Sequence, residues 1–281
     1  MKEQRYVPRS VRRAYIPKPN EKQRPLGIPT IRGEGGAQTA FLMVLEPIFD
    51  ADIADSSYGF RQKRSAHDAV WDIYKYLNLG CVEVHDVDLE HYIETVDHGK
   101  LMKLIARRIS DAPVLHVIKQ QLSCGYFEED HDRQSTQGTS QDGVISPLLA
   151  NIYLNPVDQT FERKGLGNVT KWSSYLVRFV NERICHCKTL GPAQPLLSAL
   201  QQRFVKCHLE LHPQKTRVAY CRDDDRRDHY PDHSFPFLGF TFRPWRSKVG
   251  KTIYQFLTGR EQQICQYDET PNAQLGPAQQ E

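Results

Sequence analysis

Two apolar runs, Ser174–Val180 and Arg183–Cys187, are separated by nothing but Asn181-Glu182. A connection that short reads as an antiparallel hairpin, so the two runs must be neighbours in one sheet. Other extended runs lie on both sides of it. Cys81–Leu89 reads as a strand, and Asp86 and Asp88, two residues apart, point to the same face of it. Thr216–Cys221 and Phe237–Phe242 read as two more strands, separated by the charged loop Arg222–Asp232. Near the start, Ala14–Lys18 and Arg24–Ile28 are extended pieces flanking the turn residues Pro19-Asn20-Glu21.

Helical patterns fill the gaps. Gln38–Phe49 is an apolar helix expected to kink or end near Pro47. Ser65 with Asp68 forms a capping-box pair ahead of the stripe Ala69, Val70, Ile73, Tyr74 and Leu77, and Gly80 stops it. Leu101, Leu104, Ile105 and Ile109 share a helical face, and Asp111–Cys124 forms the next helix. Ser146-Pro147 is a helix start, with serine as cap and proline in the first turn. Leu196–Lys206 is a further helix. Strands separated by helices, closed by antiparallel strands, indicate an α+β fold.

The formal net charge is only +3, so whole-chain charge does not announce a nucleic-acid binder. Its distribution says more. Lys2, Arg5, Arg9, Arg12, Arg13, Lys18, Lys22, Arg24 and Arg32 face only Glu3 and Glu21 within the first 32 residues. Such a local surplus suits phosphates, or is simply a solvated basic arm. Seven cysteines without a regular framework point to buried thiols in a reducing, cytoplasmic compartment rather than to disulfides. The apolar run Ala40–Leu45 is far too short for a bilayer span, and residues 1–13 lack the apolar core of a signal peptide.

Several ordered strings together carry a family likeness. They are Arg13–Pro19 with Lys22–Pro29, then Leu45–Phe49, Ser57–Arg61 and Arg64–Ala69. Val87–Leu89, Asp97–Leu101, Gln137–Leu154, Leu209–Thr216 and Phe237–Phe240 follow in the same order. Taken together, roughly from Arg5 to Arg243, the chain resembles the reverse transcriptases encoded by group II introns, the RNA-directed DNA polymerase and maturase family. The resemblance implies fingers and palm, with residues 1–80 as basic arm and fingers. It implies a palm over 81–247 with a fingers insertion near 100–140, and an irregular tail over 248–281. It also implies a chain that stops short of a complete thumb.

For function, the likeness implies nucleotide addition to a DNA primer copied from an RNA template, with deoxynucleoside triphosphates and Mg²⁺. Hard divalent ions take carboxylate oxygens. Asp88 fits the family's first acid. The hairpin that normally supplies two adjacent aspartates carries Asn181 and Glu182 instead. The likeness therefore assigns the catalytic positions to Asp88, Asn181 and Glu182, with Asp88 and Glu182 left as metal ligands. It assigns nucleotide contacts to Lys18, Arg24 and Gln141, and the position under the sugar to Ile93, where the family has an aromatic ring. Lys215 is expected near the acids. Arg5, Arg9, Arg12 and Arg13 are expected to meet nucleic acid. Asp142 stands beside Gln141 where the family has glycine. The expected function is a reverse transcriptase with weak or lost polymerase activity. The alternatives are a non-enzymatic RNA-binding remnant of a maturase, or a fragment without a retained role.

Overall fold

A computed structural model describes residues 8–17, 23–29, 34–128, 131–139, 143–163, 174–188, 190–221, 232–246 and 252–258. The strands are β1 (Val11–Pro17), β2 (Gln23–Ile28), β3 (Glu83–Val87), β4 (Tyr126–Glu128), β5 (His131–Arg133) and β6 (Ser174–Phe179). They continue with β7 (Glu182–Cys187), β8 (Arg217–Tyr220), β9 (Phe235–Phe237), β10 (Phe240–Arg246) and β11 (Thr252–Thr258). The helices are α1 (Gly36–Asp50), α2 (Ala66–Asn78), α3 (Tyr92–Thr95), α4 (His98–Ile105), α5 (Ala112–Ser123), α6 (Ser146–Arg163) and α7 (Leu190–Lys206). They fall into two compact units that interleave along the sequence. One comprises Met1–Ala54, Glu90–Gln159 and Arg203–Glu210, and the other Asp55–Leu89, Thr160–Gln202 and Leu211–Glu281.

In the first unit the sheet order is β2-β1-β4-β5. β1 pairs antiparallel with β2, placing Arg12 opposite Ile28 and Pro17 opposite Gln23. Its other edge pairs in parallel with β4, Val11 opposite Tyr126. Side-chain caps start two helices: Asp97 accepts the Lys100 N–H and Asp111 accepts the Val114 N–H. Of the two outcomes expected at Pro47, a kink or an end, the helix does not end there. The helix runs on to Asp50, because Leu45 and Phe49 are both buried and anchor it on either side of the proline. β4 and β5 had no signature in the sequence, since three residues are too few to show alternation.

The second unit holds an antiparallel sheet in the order β6-β7-β3-β8. Helix α2 begins at the full Ser65/Asp68 capping box and buries Ala69, Val70, Ile73 and Leu77. These meet Val82, Val84, Val177, Ile184 and Ala219 of the sheet region in one core. Burying such aliphatic side chains stabilises by about 1.5–3 kcal/mol each. The same core takes in Phe235, Phe242 and Phe256 from the sheet β11-β10-β9, with the Phe235 and Phe242 rings stacked 5.1 Å apart.

Two expectations are corrected in this unit. Phe237–Phe242 is not one strand but a hairpin, because Leu238 (φ 51°) and Gly239 (φ 81°) both take left-handed backbone and reverse the chain. Nor is the stretch after Lys248 wholly irregular. Thr252–Thr258 forms β11, whose Tyr254 and Phe256 are buried against β10.

Candidate active site

The hairpin β6–β7 carries the residues of greatest interest. Phe179 pairs with Glu182, so the two-residue loop is Val180-Asn181, one residue earlier than the sequence suggests. Val180 has φ 58°, a left-handed conformation that a β-branched residue rarely adopts. Its neighbours hold it there. The Arg178 guanidinium donates to the Val180 carbonyl at 3.0 Å. The Arg178 N–H donates to the Ser56 carbonyl at 2.7 Å, and the Tyr58 N–H donates to the Arg178 carbonyl at 2.9 Å. A Cβ on Gly59 would lie 2.7 Å from the Val180 nitrogen, so only glycine permits this approach. The Ser57–Arg61 string thus braces the hairpin tip.

Asp88 follows directly after β3 and is 6% exposed. Its carbonyl accepts the His212 N–H at 2.9 Å, which draws the segment before β8 alongside. Both carboxylate oxygens are engaged. Asn181 Nδ2 donates to Oδ1 at 2.6 Å, and Lys215 Nζ donates to Oδ2 at 2.9 Å. On the same face, Asp86 accepts from Arg217 Nε at 3.2 Å across the β3–β8 pair. Asp86, Asp88, Lys215 and Arg217, together with Glu182 and Leu238, line a groove of about 360 Å³.

Burial pushes the Asp86 carboxyl up to about 6, against the opposing pull of Arg217. Glu182 is also raised, first by burial and then by the charges of Asp88 and Asp86. Lys215 is raised, mainly by its hydrogen bond to Asp88. The groove therefore concentrates negative charge and answers it with two cationic side chains. This donor set does not fit a pair of divalent ions. Asn181 turns an N–H, not its oxygen, toward Asp88, and an ammonium holds the remaining Asp88 oxygen. Among the described residues, no cluster of three or more His, Cys, Asp or Glu side chains is arranged to hold a metal ion.

The structure brings Asp88, Asn181, Glu182 and Lys215 together although more than ninety residues separate the first two. Ile93 lies on α3 in the first unit, where its carbonyl accepts the Thr139 N–H at 2.9 Å. Arg9 and Arg12 are exposed. The Arg13 guanidinium lies 3.9 Å from the centre of the Tyr126 ring. Arg24 pairs through its backbone with Ile16. Lys18, Gln141, Asp142 and Arg5 lie outside the described residues, as does the Arg24 side chain. Sequence reasoning missed Arg217 and the bracing role of Arg178. The alternation of Lys215 and Arg217 opposite that of Asp86 and Asp88 was the available signal for the first.

Residues 16–242 match the family described as reverse transcriptase (RNA-dependent DNA polymerase). Protein YkfC of Escherichia coli is 43% identical over 166 residues, covering 57% of this chain and 43% of that protein. The group II intron-encoded protein LtrA of Lactococcus lactis is 38% identical over 160 residues, covering 57% of this chain and 26% of that protein. The chain thus spans less than half the length of these curated relatives. Among solved structures, telomerase from Candida albicans in complex with a fragment of telomeric RNA superposes with a TM-score of 0.64 at 12% identity. That match covers 92% of this chain and 47% of the telomerase. Apo telomerase from Candida tropicalis, truncated from its C-terminal domain, gives 0.63 at 12% identity, covering 86% and 54%. At that identity the likeness concerns the fold alone.

Proposed function

The chain belongs to the reverse transcriptase (RNA-dependent DNA polymerase) family, related to group II intron-encoded proteins, and from that membership we propose that its partners are an RNA template, a DNA primer and deoxynucleoside triphosphates, with nucleotide addition weak or lost. The observation that carries this reading is the double engagement of Asp88 by Asn181 and Lys215. Of the two, the ammonium is the lesser obstacle. Lys215 is 64% exposed, so solvent screens the pair and it contributes about 1 kcal/mol or less. The missing carboxylate at position 181 matters more, because an amide supplies no charge to hold hard cations.

Primer extension on an RNA template, with Mg²⁺ and separately with Mn²⁺, tests this. The parent chain is expected to extend primers barely or not at all. Lys215→Ala is expected to leave that unchanged. Asn181→Asp with Glu182→Asp is expected to raise extension, on the order of a hundredfold if geometry is the limit, and Asp88→Asn in that background to abolish it. Robust extension by the parent, insensitive to Asp88→Asn, would refute the assignment of the groove.

A second reading, RNA binding without catalysis, is supported by the exposure of Arg9 and Arg12 and, independently, by the engagement of Asp88 in the acid site. Arg9→Glu with Arg12→Glu is then expected to weaken RNA binding. The logarithmic salt slope should flatten by about 0.7 for each phosphate no longer neutralised. An unchanged slope would exclude this surface. Reducing, cytoplasmic surroundings belong to the same reading, since Cys81, Cys185, Cys187 and Cys221 are buried cysteines, as the sequence-based reading of buried thiols expects. No helix among the described residues is long and apolar enough to cross a membrane.

A further inference from the structure

The second unit contains a cavity of about 280 Å³ that shares no lining residue with the Asp88 groove. Much of its wall is aromatic. Tyr58, Tyr76, Phe161 and Tyr175 line it, and the Tyr76 and Tyr175 rings stack 4.1 Å apart. Three carboxylates, Asp55, Asp72 and Glu162, stand among the rings with one guanidinium, Arg64. Arg64 is already committed. Its Nη2 donates to Asp55 Oδ1 at 2.9 Å and its Nη1 to the Asp55 carbonyl at 3.1 Å. Asp72 and Glu162 receive neutral donors instead. The Tyr58 hydroxyl donates to Asp72, and the Ser56 hydroxyl donates to Glu162 Oε1 at 2.9 Å. Among the described residues neither carboxylate has a cationic partner. Both can be reached from solvent, since Glu162 is exposed and Asp72 half-buried.

With Asp55 answered by Arg64, the cavity keeps two carboxylates and no counter-charge of its own. Burial first, and then Asp72, raises the Tyr58 and Tyr76 phenols, so both stay protonated and add no charge. An anion is repelled here. A neutral apolar ligand would cover the carboxylates without pairing them, which is costly. A hard divalent ion needs several oxygen ligands gathered at one point, and no such cluster stands among the described residues. An organic ammonium suits both the rings and the acids. Aromatic faces and partly desolvated carboxylates attract it, and its methylene groups displace water from the aromatic surface. Two unanswered carboxylates on one cavity call for two such charges on one chain. We propose that this cavity binds an aliphatic polyamine, with its methylene chain against the tyrosine rings and its ammonium groups donating to Asp72 and Glu162. The volume is of the size that small ligands fill. None of this rests on the polymerase reading above.

Calorimetric titration of the full chain, freed of nucleic acid, with putrescine and with spermidine tests the proposal. Butylamine, butanediol and Mg²⁺ are the controls. Both polyamines are expected to bind about tenfold or more tightly than butylamine, which carries one charge, and butanediol not at all. Affinity should fall as salt rises, because the charges are partly open to solvent. Mg²⁺ should displace spermidine no better than sodium chloride of the same ionic strength. Asp72→Asn and Glu162→Gln keep side-chain size, remove one charge each and are expected to lose about tenfold in affinity. Spermidine should raise the melting temperature of the parent more than that of either variant. Glu162 is exposed, so Glu162→Gln decides the matter if Asp72→Asn fails to fold. Asp88→Asn, in the other groove, should bind spermidine like the parent. The proposal is overturned if neither polyamine binds, if butylamine binds as tightly, or if Mg²⁺ competes beyond its ionic strength. It is equally overturned if Glu162→Gln binds like the parent, or if Asp88→Asn weakens binding and so moves the site to the other groove. These titrations contain no primer, template or nucleotide, so failure of polymerase activity leaves their outcome untouched.

Discussion

His186 shows how a single buried group can set the response of the protein to acid. It is fully buried between the rings of Tyr76 and Phe235, with Nδ1 3.1 Å from the Cys81 carbonyl. Burial lowers its pKa to about 4, well under the ordinary 6.5. The folded state therefore resists protonation that the unfolded chain accepts. Stability contributed by the neutral ring is full above about 6.5 and is lost as pH falls toward 4. For a shift of that size the loss is on the order of 3 kcal/mol. His186→Phe keeps the aromatic packing and removes the titration. Melting temperatures at pH 7 and pH 5 should differ less for the variant than for the parent, and an equal pH dependence would sink the attribution. None of this could be read from the sequence, where His186 is one of eleven histidines and nothing local marks it as buried. The Lys215–Asp88 contact was only partly legible. The family likeness put both near one site, but a contact spanning 127 residues leaves no local pattern.

At the level of elements, the features with local chemistry were the readable ones. The Ser65/Asp68 box and the start at Ser146-Pro147 each depend on residues within one turn of one another, and each helix begins within one residue of where they place it. What escaped was decided by partners far along the chain. β4 exists because β1 offers it an edge, and β9 separates from β10 because Leu238 and Gly239 turn. The β6–β7 hairpin is the informative failure. Its loop sits on Val180, where type II′ geometry favours glycine. Val180→Gly is expected to stabilise the fold by about 1 kcal/mol, by relieving a backbone conformation that costs a non-glycine residue about that much. Chemical denaturation at constant m-value measures it, and a destabilised variant would show that the valine side chain contributes more through packing than its backbone costs.

For the molecule as a whole, the resemblance across roughly Arg5 to Arg243 and the family match over residues 16–242 describe nearly the same stretch. The α+β class was legible because antiparallel strands and helices alternate strongly enough to be counted. The division into two units was not, because each unit collects segments from three separate parts of the sequence. That interleaving shows most plainly in β1, which pairs with β2 on one edge and, in parallel, with β4 on the other. During synthesis the β1–β2 hairpin is complete once Ile28 has been added, yet its second edge has no partner until Tyr126 is made. At about 5–20 residues per second, that wait is on the order of ten seconds. Through that interval an unpaired edge bearing Arg12 and Arg13 faces the surroundings of the ribosome, and cationic side chains are what keep such edges from pairing with the wrong chain. The same basic residues that invite a nucleic-acid reading therefore also guard a nascent strand against aggregation.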